Sequence, residues 1–414
     1  ATGSDYLPYV WGNHASSPNQ FAANFGQDSS FAGQKTAQNN TDANGVGDFY
    51  YSVPSSDYLA LCSANIPDTT LSPAEDEQAT DYFNTVLYTG NGSSRSITGV
   101  GFQPDLSWFK ARSVNSDHYW YDSTRGANKS LTSNKSVAED TTGGQFTSFD
   151  SDGFTLPDDT AGYVNYSSRT YVAWNWRLNG GTTSSDTNGS RTTTIQTNAN
   201  AGISIATYNN PSQGNHTFGH GLGSKPEAFI WRARNTVMNW IWWDSLNFTD
   251  ADRDGLYLSA SSGFTTNSNW VTDVTDTTIN ITDGQVSSGN NIDYWCISYK
   301  SVPGFSKIGN YTGNGLSNGT FVHTGFRPAW IMIKRIGTAE NWWLGDNTRN
   351  TVNPVINYLS TNTTNLEYSN LSEVFDFTSN GVKIRTTTTA INANGSTYVY
   401  LAFAEQPFKF SNAR

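Results

Sequence analysis

The apolar residues of the chain fall in short blocks separated by Gly, Asn and Pro. Leu106-Ser-Trp-Phe-Lys, Phe229-Ile-Trp-Arg and Trp330-Ile-Met-Ile-Lys each follow a proline by a few residues. Aromatic runs come next: Tyr119-Trp-Tyr, Trp240-Ile-Trp-Trp and Trp342-Trp-Leu. A glycine turn follows in each case (Asp152-Gly-Phe, Ser262-Gly-Phe, Asn380-Gly-Val), and then a closing aromatic block at Tyr171, Tyr294 or Tyr398. Blocks this short, rich in aromatic and branched side chains and bounded by turn residues, predict β-strands. No segment carries a convincing helical period, apart from a possible short turn at Ser72-Pro-Ala-Glu-Asp-Glu-Gln, where Ser and Pro can start a helix. The expected fold class is all-β, with tandem sandwich-like (jelly-roll or concanavalin-like) units and little helix.

The blocks are three copies of one unit. YTGNG at Tyr88 leads to Gly101-Phe-Gln-Pro104, YNN at Tyr208 leads to Gly221 and Pro226, and YTGNG at Tyr311 leads to Gly325-Phe-Arg-Pro328. Counting from each proline, a basic residue stands six positions on (Lys110, Arg232, Lys334) and an aspartate eighteen positions on (Asp122, Asp244, Asp346). A register held at both offsets in all copies marks an internal repeat. The expected organisation is residues 1–85 as the C-terminal part of a β segment or an extended arm, repeats at 86–180, 204–304 and 305–414, and a Gly/Thr/Ser/Asn linker or exposed loop at 181–203.

Composition narrows the function. The 414 residues are too many for one ordinary domain, so several separate cores are expected. The 57 aromatic side chains exclude disorder over most of the length. A net charge of −11 repels nucleic-acid phosphates and anionic lipid heads, and no run of 18 apolar residues could span a membrane. Neither nucleic-acid binding nor membrane insertion is expected. Cys62 and Cys296 lie far apart and read as buried thiols. The sequence opens at Ala1 without an initiator Met or a signal-like stretch, which fits a processed product or the C-terminal part of a longer one.

Several strings resemble phage virion proteins, chiefly tail-fibre and tail-associated proteins. Asn24-Phe-Gly-Gln27 and the run from Tyr51 to Pro67 look like the last strands of a SPRY-type, concanavalin-like sandwich. The YTGNG openings, the turn from His220 to Pro226 and the segment from Ala404 onward resemble the uncharacterised β repeats that follow that sandwich. The resemblance implies a virion-surface, extracellular location and a homo-oligomer or contacts with other virion proteins. It also implies a role in tail-fibre adhesion to a host-surface glycan, or in capsid decoration. A secreted carbohydrate-binding protein and a capsule-degrading tailspike are the contrasting readings.

Candidate chemistry centres on the repeated acids. Asp122, Asp244 and Asp346 with Trp120, Trp242, Trp243, Trp342 and Trp343 form the candidate ligand-binding set, because a carboxylate beside an aromatic ring can hold a sugar by hydrogen bonding and stacking. The same residues have a structural reading, in which each carboxylate caps a turn or pairs with Lys110, Arg232 or Lys334. Repetition favours that reading, since a catalytic site seldom occurs three times in one chain. The aromatic strands point one face to the core and leave the other for a ligand, a neighbouring repeat or a partner chain. No enzyme is expected: the eight glutamates show no recurring partner at a meaningful spacing, and nucleophile elbows and phosphate loops are absent. No cofactor is expected, with calcium at Asp250, Asp252 and Asp254 the best metal candidate, although Ser261 stands where a calcium loop needs its last glutamate. His216 and His220 have a zinc-like spacing on what reads as strand and turn.

Overall fold

Each block after a proline becomes a strand buried on both faces, because one face meets a small sheet of its own repeat and the other meets the neighbouring repeats. The computed structural model describes residues 23–53, 58–60, 65, 78–248, 255–264, 270–282, 290–370, 372 and 374–405. It divides into two bodies, Ala1–Asp68 and Thr69–Arg414. The protein is all-β: the described residues give about 40% strand and 2% helix, in several antiparallel sheets, with no closed barrel among them.

In the first repeat the strands are β1 (Phe83–Thr89), β2 (Arg95–Thr98), β3 (Leu106–Ala111), β4 (His118–Asp122), β5 (Leu131–Thr132), β6 (Ser148–Asp150), β7 (Gly153–Leu156) and β8 (Thr170–Trp176). They form a main sheet of order β1-β8-β3-β4-β5 and a small sheet β2-β7-β6. The second repeat has β9 (Ser184–Asp186), β10 (Thr193–Asn198), β11 (Ile203–Asn210), β12 (His216–Gly219), β13 (Ala228–Ala233), β14 (Ile241–Asp244), β15 (Leu256–Tyr257), β16 (Val271–Val274), β17 (Thr278–Ile281) and β18 (Ile292–Tyr299). Its main sheet runs β15-β14-β13-β18-β11-β10-β9 and its small sheet β12-β17-β16. The third has β19 (Ser306–Thr312), β20 (Phe321–His323), β21 (Pro328–Arg335), β22 (Trp343–Asp346), β23 (Asn357–Tyr358), β24 (Tyr368–Ser369), β25 (Phe375–Thr378), β26 (Gly381–Ile384) and β27 (Thr397–Ala404). Here the sheets are β19-β27-β21-β22, β20-β26-β25 and the pair β23-β24.

The register is shared. Leu106 pairs with Trp176 and Asp122, Ala228 with Tyr299 and Asp244, and Trp330 with Phe403 and Asp346. Alternation then sets two faces. In the first repeat Phe109, Tyr121, Phe154 and Tyr171 fill the space between main and small sheets. Leu106, Trp108, Trp120, Trp174 and Trp176 face the opposite way, into one core that also contains Ile230, Trp242, Trp295, Trp330, Trp342 and Phe403 from the other repeats. The three repeats therefore share a core instead of stringing out with separate ones, because the second face of each main sheet is as apolar as the first.

Three expectations change. Residues 181–203 hold β9 and β10, which extend the second repeat's sheet, β10 pairing on β11 with Thr194 opposite Thr207 and β9 pairing on β10. Their Thr- and Ser-rich composition reads as a linker, yet a polar strand is stable when it covers a sheet edge. Ser262-Gly-Phe is not the second copy of the Asp152-Gly-Phe turn. Thr278 pairs with Gly219 as Gly153 pairs with Thr98, so the equivalent hairpin joins β16 and β17. The break near residue 85 also moves: β1 starts at Phe83, after a 3-10 turn at Ala79–Asp81, and the bodies divide at Asp68. The Ser72 turn lies outside the described residues. In the N-terminal body, Asn40 bridges to Phe49 and the Asp42 carboxylate accepts from the backbone of Asn44, Val46 and Ala60. Those amides hold the Asp42 carboxyl down to about 2.

The YTGNG motif has a steric cause. The Gly90 amide donates to Arg169 O and the Gly92 amide to Asn165 O, while Gly313 and Gly315 donate to Ser396 O and Asn392 O. A Cβ on Gly90 would sit 2.3 Å from Tyr166 O, and one on Gly313 would sit 2.4 Å from Ala393 O. Gly90→Ala is therefore expected to cost on the order of 3 kcal/mol, because backbone has to move. Gly99→Ala, which meets nothing within 4 Å at a φ of +89°, should cost about 1 kcal/mol. Urea midpoints of the two variants test the contrast.

Candidate functional site

The repeated aspartates end β4, β14 and β22, each 0% exposed. Asp122 accepts from the Arg125 amide (2.9 Å), Arg125 Nε (2.5 Å) and, from the second repeat, Trp295 Nε1 (3.0 Å). Asp346 has the same set: the Arg349 amide (2.8 Å), Arg349 Nε (2.6 Å) and, from the first repeat, Trp174 Nε1 (3.0 Å). Each carboxylate is thus bonded to an arginine three residues on and to an indole of another repeat.

The arginines carry the network further. Arg125 Nη1 reaches Glu139 (2.8 Å), which also binds Arg234 of the second repeat (2.8 Å). Arg349 Nη1 reaches Glu367 (3.0 Å), which also binds Arg112 of the first repeat (2.9 Å). Burial pushes both glutamates up, but their two arginines outweigh it and hold each carboxyl below its ordinary range. The backbone repeats the join: Glu139 N donates to Arg234 O and Glu367 N to Arg112 O.

The seam between the second and third repeats differs. Phe264 N donates to Ile336 O, so a phenylalanine and an isoleucine stand where the other seams carry glutamate and arginine. Asn247 takes the arginine's place beside Asp244, donating through its amide (2.9 Å) and Nδ2 (2.7 Å), and the indole is the neighbouring Trp242 (2.9 Å). Burial raises the Asp244 carboxyl despite those donors.

The three repeated cations close the ring of seams. Lys110 Nζ donates to Thr364 O of the third repeat (3.4 Å), Arg232 Nη2 to Val137 O of the first, and Lys334 Nζ to Ser261 O of the second (3.0 Å). Each is 0% exposed and bonds to carbonyls, not to the aspartates. Burial lowers the Lys110 amine to about 7 and the Lys334 amine to about 8.

The whole candidate ligand set is therefore internal. Trp120, Asp122, Trp242, Asp244, Trp342, Trp343 and Asp346 are at most 2% exposed and Trp243 is 5% exposed. Trp120, Trp242 and Trp342 face the shared core, where Trp120 lies 5.3 Å from Trp240 and Trp242 lies 5.6 Å from Trp342. Trp243 stacks on Phe229, and Trp343 on Tyr358. The second face of the strands meets neighbouring repeats, so no ring of this set offers a stacking surface to solvent. Asp250, Asp252 and Asp254, with Cys62, lie outside the described residues, and Cys296 is buried. His216 contacts Tyr208 and His220 contacts Thr275 O, and no metal-holding cluster occurs among the described residues.

The sequence reading overlooked the glutamates. Glu139 and Glu367 occupy one structural position, but they follow their aspartates by unequal lengths, so a fixed offset misses them. The signal that finds them is the string Asp-x-Thr-Arg, present at Asp122 and Asp346 and absent at Asp244.

A family model described as a domain of unknown function, DUF7483, matches residues 78–407. The chain belongs to the DUF7483 family. No curated protein and no solved structure matches it. The DUF7483 region coincides with the body that holds the three repeats, starting one residue before the turn that precedes β1.

Open surface lies elsewhere. In the N-terminal body a cavity of about 350 Å³ is lined by Phe31, Phe49, Tyr50, Tyr51 and Tyr58, with Tyr51 79% and Tyr58 60% exposed. In the first repeat a polar cavity of about 490 Å³ lies beside the end of β8.

Two predictions follow from the seams. Asp122→Asn and Asp346→Asn each take from a buried arginine one of its two carboxylates and should cost about 3 kcal/mol, whereas Asp244→Asn should cost about 1 kcal/mol; chemical denaturation measures all three. Lys110 and Lys334 give the pH dependence. Their folded amines sit below the usual lysine range, so the unfolded chain binds more protons above about pH 7 and stability rises with pH from there. Below that the full penalty is present. Unfolding midpoints from pH 6 to 9 should climb in the natural protein and climb less in Lys110→Met.

Proposed function

We propose that the chain is a non-catalytic structural protein of a phage virion surface, acting as a tail-fibre adhesin that binds a host receptor. The observation that carries the reading is the use of the triplicated acids. Asp122 and Asp346 are saturated by arginine and indole donors from two repeats, and Asp244 by its own turn, so these carboxylates serve as internal struts. Carboxylates acting on a glycosidic bond would need to flank a substrate at the surface. A body tied by buried ion pairs at two seams suits a load-bearing particle component, and the resemblance of the YTGNG openings and the N-terminal strings to tail-fibre proteins supports the location. The exposed aromatic cradle of Tyr51 and Tyr58 supports adhesion, since solvent-exposed aromatic rings lining an open cavity stack on sugars or pack on a receptor.

The test is adsorption. Phage carrying Tyr51→Ala and Tyr58→Ala should lose adsorption to host cells about tenfold or more, with particles otherwise normal in abundance and with antibody against the chain labelling the tail tip. Labelling of the head shell with unchanged adsorption would replace the adhesin by a decoration protein. Release of reducing ends from host capsule by the purified protein would replace it by a depolymerase, and glycan binding by a chain absent from particles would indicate a secreted lectin.

A further inference from the structure

The polar cavity of the first repeat is lined by Gly101, Phe102, Gln103, Ser151, Arg177, Leu178, Asn179 and Gly180. Its volume, about 490 Å³, is in the range that holds a small-molecule ligand. Phe102 and Leu178, each 4% exposed, belong to its buried lining, whereas Arg177, Ser151 and Asn179 are exposed. The loop that forms one wall is fixed from beneath. Asp105, 0% exposed, accepts from the amides of Leu178 (2.7 Å), Gly180 (2.9 Å) and Gly181 (2.7 Å), and from Gln196 Nε2 (2.6 Å). The opposite wall is fixed by Asp152, which accepts from Gly99 N (3.1 Å) and Gly101 N (2.6 Å), so that this carboxylate is already engaged.

Arg177 is the cation of the cavity. Among the described residues no ion pair engages it, and its guanidinium carbon lies 5.7 Å from the centre of the Tyr82 ring. The third repeat fills the corresponding corner differently. Arg177 N donates to Tyr82 O just as Ala404 N donates to Phe305 O, which aligns Gln103 with Arg327 and Leu178 with Glu405. In the third repeat Arg327 and Glu405 pair at 2.8 Å, so the chain fills that corner with its own cation and carboxylate. In the first repeat Gln103 and Leu178 take those two places, so the corner has no ion pair of its own, and Arg177, at the position of Ala404, is the charged residue of the lining.

We propose that this cavity binds a carboxylate-bearing sugar of the uronic-acid class. Arg177 takes the carboxylate through its planar fork, which matches that group's geometry. Gln103, Ser151 and Asn179 supply hydrogen-bond partners to the hydroxyls. A single planar anion suits one guanidinium on a protein of net charge −11, which disfavours densely charged polyanions. The sugar class rests on the adhesin reading; the carboxylate rests on Arg177, which lines the cavity and has no ion pair among the described residues.

The experiment titrates the full chain with a short oligouronate and with the same oligomer after reduction of its carboxyls. The natural protein should bind the oligouronate, and reduction should weaken binding about tenfold or more. Arg177→Gln should weaken oligouronate binding to a similar extent while leaving the thermal midpoint and the adsorption role of Tyr51 and Tyr58 unchanged. Gln103→Glu, which places a carboxylate beside Arg177, should also block the cavity. Equal affinity for the native and reduced oligomers, or full oligouronate affinity in Arg177→Gln, would overturn the proposal. Failure to bind by a chain that still mediates adsorption would remove this site and leave the adhesin reading standing. Arg177-dependent binding by a chain absent from virions would do the reverse.

Discussion

A carboxylate taken out of water inside a β core has to be matched by donors, and the DUF7483 body is organised around two such matches. Asp122 and Asp346 sit at strand ends where no solvent reaches, and each is met by an arginine from its own turn and an indole from another repeat. Because the matching donor belongs to a different repeat, satisfying the charge also fixes how the repeats meet. Burial makes the bond expensive to break, since either partner left alone would be an uncompensated polar group in a low-dielectric interior.

Hydrophobic burial and this polar matching act on the same strands. β3, β13 and β21 carry apolar side chains on both faces, and one face alone would suffice for a sandwich. The second face is covered only when three main sheets meet, and the cations on that face then reach carbonyls of the next repeat. The third seam, with Phe264, Ile336 and Asn247, shows that the geometry tolerates an apolar solution. A buried ion pair and a hydrophobic pair of similar size can be close in net stability, so the charged seams add directional specificity to a contact that burial already favours.

Much of this was legible in the sequence, and what was not has identifiable physical causes. Strand positions followed from the blocks after Pro104, Pro226 and Pro328, since period and residue type are local properties. The repeat register located Asp122, Asp244 and Asp346 at equivalent sites. Sequence could not show which face Trp120 or Trp242 would present to solvent, because that depends on what covers a sheet after the chain has folded back over more than a hundred residues. The strands β9 and β10 were hidden because they are stabilised by the β11 edge and not by their own apolar content. Glu139 and Glu367 were hidden by loops of unequal length.

Asp122 and Asp346, with Trp295 and Trp174, act across repeats as structural struts. A double-mutant cycle on Asp122 and Trp295, using Asp122→Asn and Trp295→Phe and reading unfolding free energy in urea, tests it most directly. A coupling of about 1–3 kcal/mol is expected between these residues 173 positions apart. Additive losses, with coupling indistinguishable from zero, would contradict it.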